Sequence, residues 1–175
     1  ITLNAETIAA NLTGTAADLA AAFDGITTHT GTMGITGTDV ATVAELVTMN
    51  AATTGAITLN AETIAANLTG TAADLAAAFD GITTHTGTIG ITGANPTVDQ
   101  LNIISGATSG IVTATITGSA TVLATLTTKG IDDITETITG TDVATVAQLV
   151  TMNNATAGTI TLNAETIAAN LTGTA

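Results

Sequence analysis

The chain has 175 residues, of which 14 are acidic and one, Lys129, is basic, for a formal charge of −13 at pH 7. That balance excludes a basic nucleic-acid surface and a patch for anionic lipid headgroups. With no Cys there are no disulfides or thiol chemistry, and with no Trp, no Tyr and only Phe23 and Phe79 there is no aromatic platform for sugars or bases.

The dominant signal is internal repetition. Ile1–Thr32 recurs without change as Ile57–Thr88, and Ile1–Ala16 recurs as Ile160–Ala175. Ile35–Asn50 recurs as Ile138–Asn153 with one difference, Glu45 becoming Gln148. A shorter corner motif, [Ile/Leu]-Thr-Gly-[Thr/Ser/Ala], appears near residues 12–15, 35–38, 68–71, 91–94, 116–119, 138–141 and 171–174. Its spacing of about 22–33 residues is that of a solenoid rung, so the whole chain 1–175 reads as a single repeat array. A first residue that is not Met and a last one in mid-unit suggest a window cut from a longer periodic protein.

In chain order, Ile8, Ala10 and Leu12 share one parity and predict a strand with one buried face, which Gly14 ends. Ile64, Ala66 and Leu68 repeat the pattern, as do Val112, Ala114 and Ile116. Thr15-Ala-Ala-Asp18 and Thr71-Ala-Ala-Asp74 resemble capping boxes and open Ala-rich helices whose Leu19, Ala22 and Phe23 recur at helical spacing. Val40, Val43, Leu46 and Val47 predict the next helix, and Val143, Val146, Leu149 and Val150 its copy. Ile57–Ala61 predicts an extra strand segment in a longer rung, and Asn95-Pro96 a helix start. Gly25, Gly55, Gly81, Gly110, Gly130 and Gly158 stand where helices should stop. The expected fold is an α/β repeat solenoid, with one parallel strand and one short helix per rung and right-handed crossovers. The alternative is an all-β solenoid whose Ala-rich segments are turns; it requires strong helix formers to be extended.

Few residues suggest chemistry. His29 and His85 occupy one repeat position, with Asp24 and Asp80 five residues earlier in each copy; copies of a loop histidine argue against a unique active site. No Ser-His-Asp or paired-carboxylate pattern is present, so no catalytic residue and no enzyme activity is assigned. Asp24, Asp80, Asp132 and Asp133 are the calcium candidates, since turn carboxylates suit that ion, although the known loop spacings are missing. No other cofactor is expected. Asn11, Asn67, Asn154 and Asn170 match the Asn-x-Thr acceptor pattern, with Leu12 and Leu68 expected in the core. Outward Thr rows, strongest at Thr113, Thr115 and Thr117 with Thr135 and Thr137, raise ice binding against the plain β-propensity of Thr.

Leu12-Thr-Gly-Thr-Ala-Ala-Asp-Leu19, Ile138-Thr-Gly-Thr141 and Met49-Asn-Ala-Ala-Thr-Thr-Gly55 resemble the tandem repeats of giant secreted or cell-surface proteins of marine bacteria, cyanobacteria among them. The resemblance covers nearly the whole chain. It departs at Ala94-Asn-Pro-Thr97 and at Met49, where that pattern has Leu. It implies an adhesin-like or filament-forming role at the cell surface and no catalytic residues.

The expectation is a structural extracellular module: a rod, stalk or filament whose partners are copies of itself or adjacent repeats, end to end. An acidic, Thr-rich, Lys-poor surface suits a secreted protein of a saline habitat, because salt screens the self-repulsion. The alternative is a binding module that presents a glycan, calcium-bridged or ice-binding surface. No nucleic acid and no membrane insertion are expected.

Overall fold

In the computed structural model, which describes residues 2–172, strands pair in parallel with their neighbours in sequence. β1 (Leu12–Gly14), β2 (Met33–Ile35) and β3 (Ile57–Thr58) form one sheet in that order. β4 (Leu68–Thr71), β5 (Ile89–Thr92), β6 (Val112–Gly118), β7 (Asp133–Ile138) and β8 (Ile160–Thr161) form the second. Helices lie between consecutive strands, as parallel pairing requires of its connections. The fold class is α/β.

The ladder registers sort the strands into three equivalent sets. Leu12, Met33 and Ile57 are direct partners in the first. Leu68, Ile89 and Val112 are partners in the second, and Ile116, Glu136 and Ile160 in the third. The first two sets are joined through α4 (Ala61–Ala65). The second and third are joined by Ala114 and Thr115 alone, so β6 runs straight through and belongs to both. Its burial alternates strictly, with Val112, Ala114 and Ile116 inward.

Each set carries two main helices. The first is α2 (Ala16–Phe23), α5 (Ala72–Phe79) or the shorter α7 (Ala120–Leu123); the second is α3 (Val43–Ala52), α6 (Val98–Ala107) or α8 (Val146–Ala155). Leu19, Leu75 and Leu123 turn inward from the first kind, and Leu46, Met49, Leu101, Ile104 and Met152 from the second. Within the described chain α2 packs on α3, α3 on α5, α5 on α6, and α7 on α8. Two apolar clusters result, one under α2, α3 and α5, the other between β6, β7 and α7.

Glycines let the turns lie backbone on backbone. A Cβ at Gly87 would sit 1.8 Å from the carbonyl oxygen of Ala66, and one at Gly31 would sit 2.0 Å from that of Ala10. Two kinds of corner hide behind one motif. At Gly37, Gly93 and Gly140 φ is near +90°, so these glycines turn the chain. Gly14, Gly70 and Gly118 have no such φ, remain in their strands, and lead straight into helices capped by Thr15, Thr71 and Ser119.

Several expectations need correction. The helices overturn the all-β alternative. Ile8 and Ile64 end or lie in short helices, α1 (Ala5–Ile8) and α4, so the inward parity over 8–12 and 64–68 is strand only from Leu12 and Leu68. The extra strand at Ile57 stops at Thr58, because Asn60 caps α4. Val40 and Val143 precede their helices and are about half exposed, since Thr42 and Thr145 are the caps. Those two caps, with Glu45 and Gln148, form full capping boxes, as do Thr97 and Gln100. At Thr15 and Thr71 the box is incomplete. The Asp carboxylate, one methylene shorter than Glu, accepts from the Thr hydroxyl at 2.8 Å instead of reaching back to the cap N–H. Asn95-Pro96 lies before the helix, which Thr97 caps. Gly25 and Gly81 do follow helix ends, with φ above +70°, whereas Gly55, Gly110 and Gly158 stand beyond Thr caps and serve close approach. The corner at 171–174 lies partly outside the described residues.

Candidate functional site

The segment Ile-Thr-Leu-Asn-Ala-Glu-Thr-Ile-Ala occurs three times, and twice it is docked. In the copy at 57–65, Asn60 Nδ2 donates to the carbonyls of Gly37 (3.0 Å) and Asp39 (2.9 Å), while its Oδ1 caps α4 through Thr63 N–H. The Thr63 hydroxyl oxygen accepts from Ala41 N–H at 2.9 Å. In the copy at 160–168, Asn163 makes the same bonds to Gly140 (3.0 Å) and Asp142 (2.9 Å), and Thr166 accepts from Ala144 N–H at 2.8 Å. This second helix is α9 (Ala164–Ala168). The segment acts as a plug, and the identical loops 37–41 and 140–144 act as its sockets. Asn suits the task because one side chain supplies two donors and an acceptor.

The third copy, at the N-terminus, caps its own helix through Asn4 Oδ1 and Thr7 N–H. Among the described residues it meets no socket, and Asn4 is exposed where Asn60 is buried. The middle set has no plug. There Asn95 closes the joint, donating to Thr117 O at 3.0 Å and accepting from Thr117 N–H at 2.7 Å.

Buried polar groups fill one recurring position, four residues before Met33, Ile89 and Glu136. In the first two sets it holds His29 and His85, each packed edge-on against Phe23 or Phe79 at ring-centroid distances of 4.9 and 5.1 Å. His29 Nε2 lies 3.0 Å from Ala10 O, an acceptor only, so that nitrogen carries the proton. Its Nδ1 lies 3.0 Å from the Thr53 hydroxyl, which also reaches Gly31 O at 2.7 Å. His85 makes neither ring bond. Burial holds its pKa below the ordinary value, and the nearby Ala66 backbone opposes that shift only in part.

In the third set the position belongs to Asp132. Its carboxylate accepts from the Ser105 hydroxyl, Val112 N–H (2.9 Å) and Lys129 N–H (3.0 Å). The Lys129 ammonium lies 3.5 Å from the carboxylate and donates to the carbonyls of Ser105 (2.6 Å) and Thr108 (2.9 Å) at the end of α6. The one cation of the chain is thus a clamp between two sets. Glu136, four residues on, is fully buried with both carboxyl oxygens unbonded, and burial pushes its pKa up to about 7.

The four calcium candidates lie at separate places and are not brought together. Asp24 and Asp80 are exposed C-caps of α2 and α5. Asp132 is buried and occupied by hydrogen-bond donors, and Asp133 points to the opposite face of β7. Among the described residues no three metal-ligating side chains converge. Two surface grooves, one beside Asp80 and one beside Asp133, each hold a single titratable side chain. The Asn11 and Asn67 side chains accept from Thr32 and Thr88 N–H, both at 3.1 Å.

Sequence reasoning missed the plug asparagines, the Lys129 clamp and Glu136. Glu136 had a signal: it shares inward parity with Ile134 and Ile138. Asn60 and Asn163 had one too, in the repeat of Leu-Asn-Ala-Glu-Thr, but their partners lie more than twenty residues away. No family model, no curated protein and no solved structure matches the chain.

Proposed function

We propose that the chain is a structural solenoid: an extracellular rod, stalk or filament element whose product is length and stiffness. The observation that carries this reading is the plug and socket at Asn60 and at Asn163, where one sequence makes one set of bonds at two places along the chain. Successive in-register parallel strands support it as well, since each set buries its apolar face against its neighbours. The outer edges of β1 and β8 stay open in the described chain, and open edges invite continuation or end-to-end association. No described helix is long and apolar enough to cross a membrane. The placement outside the cell rests on the acidic, cysteine-free composition and on the resemblance to bacterial surface repeats. Small-angle scattering of the isolated chain tests it: a rod-like distance distribution is expected, and a spherical one overturns the reading.

A second reading, a binding face, has one observation in its favour. Outward threonines are ladder partners at Thr115–Thr135 and at Thr117–Thr137–Thr161. Asp133 interrupts the neighbouring row opposite Thr113. Thermal hysteresis and glycan-array measurements test that face, and blank results in both remove it.

A further inference from the structure

We propose that the chain binds a second copy of itself head to tail, the α2 face of one copy docking on the α8 face of the other as α5 docks on α3 within a single chain. The inference rests on the rod reading and adds the residues of the joint.

The argument starts from identical sequences in unlike surroundings. α5 and α2 are both Ala-Ala-Asp-Leu-Ala-Ala-Ala-Phe. α3 and α8 differ only at Glu45/Gln148 and Ala51/Asn154. Inside the chain α3 packs against α5, and the Asn50 side chain donates to Ala77 O (2.7 Å) and Asp80 O (3.0 Å). α5 has helices on both sides, α3 and α6, whereas among the described residues α2 packs on α3 alone. Ala78 is 0% exposed, while its copy Ala22 is exposed. At the other end α8 packs on α7, and among the described residues no helix takes the place that α5 takes on α3. Leu46 is 0% exposed and its copy Leu149 is half-buried; Val47 is half-buried and Val150 stands 54% exposed. Ile167 is 70% exposed where Ile64 is packed, and Leu171 is 38% exposed where Leu68 is 8%. The two open faces are thus copies of the two halves of an interface the chain already makes.

The connecting segment fits this joint. α3 and α5 are linked by residues 53–71, and the chain holds residues 57–71 of that link twice more, as 1–15 at one end and 160–174 at the other. When α2 of one copy docks on α8 of the next, the two identical segments compete for one place. Whichever stays finds its socket at 140–144 and its neighbours at Thr30 and Gly31, whose N–H groups bond Ile8 O as those of Thr86 and Gly87 bond Ile64 O. Asn153 then meets the carbonyls of Ala21 and Asp24, the copies of Ala77 and Asp80. The contact is heterologous, so it propagates instead of closing. Both partners are acidic, and salt that screens their repulsion tightens the joint.

Two single-cysteine variants in this cysteine-free chain test the joint. A21C and N153C are mixed and treated with a short bismaleimide, with N50C/A77C as the intramolecular positive control. A cross-linked dimer is expected in the mixture and in neither variant alone. V150D and A22E, both at exposed positions, are each expected to lower association by at least tenfold in sedimentation, with an unchanged thermal melt. Absence of the A21C–N153C product, or association undiminished in both V150D and A22E, overturns the proposal. A rod-like monomer that does not cross-link leaves the rod reading standing and removes the joint, whereas a spherical monomer removes the rod reading itself.

Discussion

Met33 and Glu136 hold the same place in two strands, each between ladder partners from the neighbouring strands, and one is a thioether where the other is a carboxyl. Ile89 holds that place in the remaining set. Glu136 has no hydrogen-bond partner and is fully buried. β6, β8, α7 and α8 carry no ionisable residue, so nothing on them compensates a charge there.

Stability should therefore depend on pH through Glu136. Its folded pKa is raised to about 7 from 4.5, so between these values the folded state holds a proton that the unfolded state has released. The contribution is fully present below the unfolded value and is lost as pH rises through about 7, on the order of 2–3 kcal/mol. Urea unfolding at about pH 5 and pH 8 checks this. E136M, which restores the residue type of Met33, should flatten that loss and raise stability at the alkaline end.

His29 and His85 share a sequence context and differ in bonding, so the same substitution should differ in cost. H29L leaves Ala10 O and Thr53 short of a partner and should cost roughly 2–3 kcal/mol, whereas H85L removes a ring that makes no short hydrogen bond and should cost less. His85 also gives an acid limb. Its folded pKa is depressed, so its contribution is present above 6.5 and lost as pH falls below it. H85L should reduce that acid sensitivity in thermal melts.

Two glycines should respond in opposite directions to alanine. At Gly87 the new methyl would meet Ala66 backbone at 1.8 Å, which forces neighbouring turns apart, and a loss above about 3 kcal/mol is expected. Gly106 lies in α6, and an added methyl there would have nothing within 4 Å, so G106A should gain roughly 0.5–1 kcal/mol. Denaturant midpoints of the two variants measure the contrast.

The plug can be weighed against its own undocked copy. N4A loses a helix cap, about 1 kcal/mol at most, because α1 is a short terminal helix. N60A loses the same cap and both bonds to Gly37 and Asp39 carbonyls, and should cost roughly 1–2 kcal/mol more. Equal losses in the two variants would remove the docking role of Asn60.

Local chemistry was the legible part. The alternation of Val112, Ala114 and Ile116 marked β6, and Ala-rich runs after Thr caps marked α2 and α5, because strand parity and helix propensity act over a few residues. Parity misled at Ile8 and Ile64. Asn4 and Asn60 cap a helical turn there, and a short helix can hold two residues on one side as a strand does. The buried nodes were illegible for another reason: Lys129, Ser105 and Asp132 meet only when α6 and the loop before β7 are stacked.

The sequence by itself determined the repetition and the α/β alternation. Those follow from composition and periodicity, which are properties of the chain read in one dimension. Only the tertiary structure decided which copies of a repeated string are satisfied. Among the described residues Asn60 is docked and Asn4 is not, and Val47 is half-buried where Val150 is exposed. Identical residues have identical local preferences, so the difference between them lies wholly in what the fold brings alongside.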